Sequence, residues 1–158
     1  MTSKLLRKIA THFVKNNLTL GLAESCTGGH ISATITSVSG ASKYFSGAVV
    51  CYANQVKHGL LAVELGSIKK HGAVSQPVAK AMARGARKAL GVDWAVAVTG
   101  VAGPTGGTPE KPVGLVHFAV AGPGFVSSAA KIFKGTRTQV QKQSVRFALQ
   151  LLLKSLNH

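Results

Sequence analysis

The order of apolar runs along this chain predicts an α/β protein: a three-layer α/β/α sandwich around a mixed, mostly parallel five-stranded sheet. Three observations carry that expectation. Short apolar runs bounded by turn residues read as buried strands, and amphipathic stretches at helical spacing alternate with them. One pair of apolar runs is joined by Gly122-Pro123-Gly124, a hairpin signal that supplies an antiparallel member. Alternation of the two element types then favours stacked layers of helix, sheet and helix.

In chain order, Leu5, Leu6, Ile9, Ala10, Phe13 and Val14 make one helical face, with Ser3 placed to cap it. Leu18–Ala23 reads as a strand, and Thr27–Val38 as mostly helix. Val49–Tyr52 is a second apolar strand, followed by a short helix near Asn54–Leu61. Ser75 stands where it caps a helix that runs to about Leu90, with Pro77 in the first turn, where its missing N–H costs nothing. Trp94–Val98 is a third strand, ending at Thr99-Gly100, and residues 113–121 and 125–133 are two more. Val145, Ala148, Leu149, Leu152, Leu153 and Leu156 give the final helix its apolar side.

Composition sets the class. A chain of 158 residues with 46% hydrophobic and 15% charged residues suits one domain, 1–158, with a real core. Nineteen Lys and Arg stand against four carboxylates, a formal charge of +15, so anionic partners of any kind are admissible: nucleic acid, membrane surface or phosphorylated metabolite. The basic residues are dispersed, aromatics make up only 6%, and no nucleic-acid-binding signature appears, which argues against nucleic acid as the partner. Cys26 and Cys51 have no partner at metal-ligand spacing, and no apolar h-region or membrane span is apparent, so a reducing, cytoplasmic setting is expected. The six histidines show neither H-x-x-x-H nor H-E-x-x-H, so neither a metal site nor a cofactor is expected.

Two constellations carry chemistry. In Ala23-Glu24-Ser25-Cys26-Thr27-Gly28-Gly29 a strand stops at a small hydroxyl residue and turns through two glycines toward a helix. Such a turn presents the hydroxyl at a helix N-terminus, where outward N–H groups favour an anion; the plainer reading is an N-cap with a glycine turn. The second is the loop Thr99 to Gly114, with five glycines and three prolines. Loops of this length in a small domain are usually functional or disordered; prolines fix a shape and glycines allow close backbone approach to a ligand. It is neither a Walker A loop, since no Gly-Lys-Ser/Thr opens a following helix, nor a Rossmann fingerprint, since it lies between strands.

Ala23–Gly29, Gly47–Lys57 with Tyr52-Ala53-Asn54-x-x-Lys57, His71-Gly72-Ala73-Val74-Ser75 and Val98–Gly114 occur in the order found in one family. From about residue 4 to 156 the chain resembles the CinA C-terminal domain, the nicotinamide-nucleotide amidase family, in its stand-alone form. That resemblance implies hydrolysis of the carboxamide of nicotinamide mononucleotide to nicotinic acid mononucleotide and ammonia, without a metal, in pyridine nucleotide recycling. It implies Ser25 as nucleophile, Lys57 as general base, and Tyr52 and Thr99 as polar neighbours of the pair. Arg137 matches a basic position near the substrate, and Ser42 a small polar one, though such a serine is more often a turn residue. Thr27, Gly28, Gly29, Gly100, Gly103, Thr105, Gly106 and Gly107 are the remaining expected substrate contacts; Glu24 either orients the tyrosine or lysine or binds a substrate ribose hydroxyl, or else forms a structural ion pair. The pattern around Arg137 departs from the family at Thr136, Thr138 and Gln141. A homodimer is implied by the family; a basic binding protein without amidase activity is the alternative.

The chemistry supports a lysine base on its own terms. An amide needs an activated nucleophile, an oxyanion stabiliser and a proton donor for ammonia. No histidine forms an obvious triad with Ser25, and a chain poor in carboxylates has little to hold a lysine charged. Cys26, intrinsically the stronger nucleophile, stands next to Ser25 as its rival, or as a small buried residue.

Overall fold

The computed structural model describes residues 2–157. Helix α1 spans Thr2–Lys15 and strand β1 Leu20–Glu24; α2 is His30–Thr36, β2 Phe45–Val50 and α3 Asn54–Leu61. Then come α4 (Leu65–His71), α5 (Gln76–Leu90), β3 (Trp94–Gly100), β4 (Leu115–Gly122), β5 (Phe125–Ile132) and α6 (Arg137–Ser155). The five strands form one sheet in the order β2-β1-β3-β4-β5. β1 pairs in parallel with β2 and β3, while β4 is antiparallel to both β3 and β5, so β4 alone runs against the others. The hairpin expected at Gly122-Pro123-Gly124 is the β4–β5 connection.

Alternation along the strands builds two unequal faces. Leu20, Leu22, Val96, Val98, Val116, Phe118 and Val120 point to a core closed by α1, α2 and α6. Ala23, Ala95, Ala97, Ala119 and Ala121 point to the other face, where α5 packs Ala79, Met82, Ala83 and Ala86 beside α3 and α4. Large side chains fill the thick layer, and small ones on both sheet and helix let α5 lie close, as period-two burial requires. Gly85 extends that close contact to α3: a Cβ there would overlap the Leu61 carbonyl, so the glycine sets the seat of the helix that carries Lys57.

Several boundaries move for physical reasons. Leu18 closes α1 by donating its N–H to Phe13 O, and β1 runs on to Glu24, which pairs with both Val50 and Val98. β2 begins at Phe45 and ends before Tyr52, because pairing with β1 rather than an apolar run defines this edge strand. Residues 27–29 are a turn and not helix, with Gly28 at φ +57 and Gly29 at φ +102. Ser3 lies within the first turn of α1, not ahead of it. Ser75 holds the N-cap position of α5, but its hydroxyl donates to Gly72 O and not into the cap. Helix α4, short and with little apolar periodicity, has no counterpart among the sequence expectations.

Candidate active site

From β1 the chain passes outward to β2 and then crosses back to β3 on the other side of β1. The crevice at such a reversal, at the carboxyl ends of the strands, is where open α/β sheets bind ligands. Ser25 is the first residue after β1, and its N–H donates to Val98 O of β3 at 3.0 Å, which fixes it over that crevice. With that N–H engaged, donors for an oxyanion must come from other groups.

Lys57, in the first turns of α3, is buried, at 1% exposure. Its Nζ lies 3.1 Å from Ser25 Oγ, 2.7 Å from Cys51 O and 3.3 Å from Tyr52 O. Two of these partners are carbonyls, which only accept. A neutral amine that gives its two N–H groups to them is left with its lone pair for the Ser25 hydroxyl. Burial pushes the Lys57 amine below the ordinary lysine value, against the opposing pull of the Cys51 and Cys26 thiols. Among the described residues no carboxylate pairs with it. Cys26, the rival nucleophile, is only 5% exposed. Burial, reinforced by the Glu24 charge and opposed by a backbone hydrogen bond, pushes its thiol up to about 12, which leaves it protonated and inert near neutrality.

Tyr52 and Arg137 close the mouth. Arg137, at the start of α6, donates from Nη2 to the Tyr52 hydroxyl oxygen at 2.9 Å and from Nη1 to Gly103 O at 3.0 Å. The Tyr52 oxygen thus accepts from a cation, which leaves its own O–H free to donate. Thr99 Oγ1 donates to Ala73 O at 2.9 Å and ties the end of β3 to the α4–α5 loop. A pocket of about 220 Å³ results, with Ser25, Tyr52, Lys57, Thr99 and Arg137 among its lining. Gly100 lines it too, but its lack of a side chain answers to packing: a Cβ would come within 2.8 Å of Leu115 O. Asn54, Ala73 and Val74 also line it without having been singled out as contacts, although each lies in a motif that the sequence offered.

Other expected contacts are placed differently. Glu24 is fully buried: its carboxylate accepts from Thr27 Oγ1 and the N–H groups of Gly29 and Ile31 through one oxygen, and from Ser32 N–H and Oγ through the other. A strand carboxylate therefore occupies the N-terminus of α2, and the anion site expected there is filled from within. Thr27 is equally buried and spends its hydroxyl on Glu24. Gly28 and His30 donate their N–H groups to Ser25 O and Thr27 O, which engages both in the turn itself. Ser42 lies just before β2, at the Leu20–Phe45 end of the strands, whereas Ser25 follows the Glu24–Val50 end; the sheet separates the two. Gly103 and Gly107 are explained by Val113, against which a Cβ at either position would collide. Thr105 and Gly106 stand on the exposed outer arm of the loop, outside the pocket lining. Thr136 caps α6 through a reciprocal capping box with Gln139. Gln141 donates from Nε2 to Cys26 O at 3.0 Å, a hold on the turn after Ser25 that nothing in local sequence announced.

The buried Glu24 clamp predicts a stability effect. Glu24→Ala strands several N–H and O–H donors at the α2 N-terminus and lowers the unfolding free energy by about 3 kcal/mol or more, read by urea titration. A loss below about 1 kcal/mol would mean that water replaces the carboxylate without cost.

With this geometry in view, a family model described as the CinA C-terminal domain matches residues 2–156. The chain belongs to the CinA C-terminal domain family. It is 50% identical over 144 residues to a CinA-like protein of Parasynechococcus marenigrum, covering 90% of this chain and 34% of that one. It is 49% identical over 150 residues to a CinA-like protein of Gloeobacter violaceus, covering 93% and 35%. The chain thus spans about a third of the length of the curated relatives it matches. Among solved structures it is similar to competence/damage inducible protein CihA from Agrobacterium tumefaciens, with TM-score 0.95, 39% identity and coverage of 99% and 96%. The competence damage-inducible protein A (ComA) of Klebsiella pneumoniae is similar at TM-score 0.95 and 32% identity, with 99% and 98% covered. No described helix is long and apolar enough to cross a membrane, and both cysteines of this CinA-type domain are free and buried.

Proposed function

We propose that this CinA-type domain is a metal-independent serine amidohydrolase that converts nicotinamide mononucleotide to nicotinic acid mononucleotide and ammonia. The observation that carries the reading is the buried Lys57 amine, held by two carbonyls with its remaining valence on Ser25 Oγ. Ser25 Oγ attacks the carboxamide carbon while Lys57 takes its proton. The oxygen that becomes negative is met by the Tyr52 O–H, polarised by Arg137. Lys57 returns the proton to the departing nitrogen, ammonia leaves, and the acyl group remains on Ser25 as an ester. Water, deprotonated by Lys57, then cleaves that ester, and Lys57 gives this proton to the departing Ser25 Oγ; the net reaction is amide plus water to acid plus ammonia.

Phosphate recognition falls to the mouth. The N–H groups at the start of α2 are spent on Glu24, so Arg137 and the exposed Thr105–Gly107 arm remain as anion-facing groups, within the field of a chain of charge +15. The test is ammonia release in EDTA with nicotinamide mononucleotide, nicotinamide riboside and nicotinamide as substrates. The expected result is turnover of the mononucleotide at least about 100-fold faster than of either analogue, since a charged hydrogen bond pair to phosphate contributes about 3 kcal/mol. Equal rates on nicotinamide would show that the phosphate is not recognised, and loss of turnover in EDTA would overturn metal independence.

A further inference from the structure

A groove of about 390 Å³ runs between α2 and the first half of α6, beside the catalytic pocket. The two have no lining residue in common: Cys26 and Arg137 belong to the pocket, Thr138 and Gln141 to the groove. Basic side chains gather along it, with His30 on α2 and Lys142 and Arg146 one turn apart on α6. Thr138 and Gln141 add a hydroxyl and an amide donor, Thr34 gives its own O–H to His30 O, and Val145 gives an apolar wall. None of the four carboxylates of the chain lines it. This basic lining favours an anionic ligand. The volume falls within the roughly 300–1,000 Å³ typical of small-molecule sites, and exceeds what a bare phosphate fills.

Two hydrogen bonds join the groove to the nucleophile turn. Gln141 Nε2–H holds Cys26 O at 3.0 Å, and His30 Nδ1–H meets Thr27 O. These carbonyls lie one and two residues beyond Ser25. A ligand that draws Gln141 or His30 toward itself therefore pulls on the backbone that sets the Ser25 hydroxyl.

We infer that the α2–α6 groove binds a small phosphate ester, and that its occupancy changes the rate of the reaction at Ser25. The second half rests on the amidase reading above; the first does not. The experiment titrates the ¹⁵N-labelled protein with AMP and, separately, with inorganic phosphate. AMP is expected to shift the amides of Thr34, Thr138 and Lys142 along one saturation curve, carrying Ser25 and Cys26 with them while Tyr52 and Lys57 stay. Inorganic phosphate, lacking the organic part, is expected to bind about tenfold more weakly or worse. The double variant Lys142→Ala, Arg146→Gln is expected to weaken AMP by about tenfold or more, the effect of losing charged hydrogen bonds. Shifts confined to Tyr52, Lys57 and Arg137 would place AMP in the catalytic pocket and overturn the inference, as would no saturable shift at all. Phosphate binding as tightly as AMP overturns the ester. Groove shifts that leave Ser25 and Cys26 unmoved overturn the coupling. In the activity arm, saturating AMP is expected to change ammonia release by about twofold or more in the parent, and not in the double variant measured against its own AMP-free rate. If the parent releases no ammonia with or without AMP, the amidase reading has failed, and the amide shifts still decide the groove.

Discussion

Ser25→Ala abolishes ammonia release from nicotinamide mononucleotide, by about 10⁴-fold or more, while Cys26→Ala keeps most of it. The first half follows from position. Ser25 Oγ is the hydroxyl on the Lys57 amine, and removing a nucleophile that acts as a unit with its base leaves only the residual rate from binding and oxyanion stabilisation. The second half follows from burial, which holds the Cys26 thiol protonated at about 12 and packs it into the core with α2 and α6. Cys26→Ala removes one buried sulfur, costs about 1 kcal/mol of stability, and leaves the backbone carbonyl that Gln141 holds. The measurement is kcat/KM for both variants beside a urea titration, so that a loss of fold is not taken for a loss of chemistry. Activity that survives in Ser25→Ala and disappears in Cys26→Ala would make the thiol the nucleophile.

Lys57→Arg fails almost as badly as Lys57→Met, with losses of about 10³-fold or more in kcat for both. Arginine preserves positive charge but cannot give up a proton near neutrality, so a role in proton transfer separates from an electrostatic one. The pH profile carries the same distinction. Burial lowers the Lys57 pKa, so its amine becomes neutral at a pH below the ordinary lysine value of about 10.4. Activity therefore rises as pH rises through that depressed value and levels off before a free lysine would have titrated. A pH profile that is flat through this range, together with an active Lys57→Arg, would reduce Lys57 to a positioning group and make Tyr52 the first candidate for the base.

The sequence by itself determined the class of fold and, through its resemblance to a family, singled out Ser25 and Lys57, which the structure brings within 3.1 Å of each other. Buried strands and amphipathic helices announce themselves through periodicities of two and three to four residues, and these are local properties of the chain. Thus the α3 and α5 spans, the β4–β5 hairpin and the alternating order were legible before any coordinates, and Ser25 and Lys57 lay inside short motifs. What only the tertiary structure decided were roles that depend on which distant groups meet. Glu24, next to Ser25, is open from sequence to a substrate contact or a structural ion pair; strand alternation turns its side chain into the sheet–helix layer, where five donors of residues 27–32 take it up. The glycines at 28 and 29, read from sequence either as part of an anion-facing helix N-terminus or as a plain capping turn, form the left-handed turn that brings those donors round. Ser42 and Ser25 are separated because parallel pairing of β1 with β2 puts the residues before and after the strands at opposite ends. Arg137 reaches Tyr52 across 85 positions of sequence, and Gln141 reaches Cys26 across 115, because α6 returns to pack on the face that α2 occupies. Periodicity reports which side of an element is buried; the partner on that side is set by long-range packing, and in this protein the partner decides whether a polar residue holds the fold or faces the substrate.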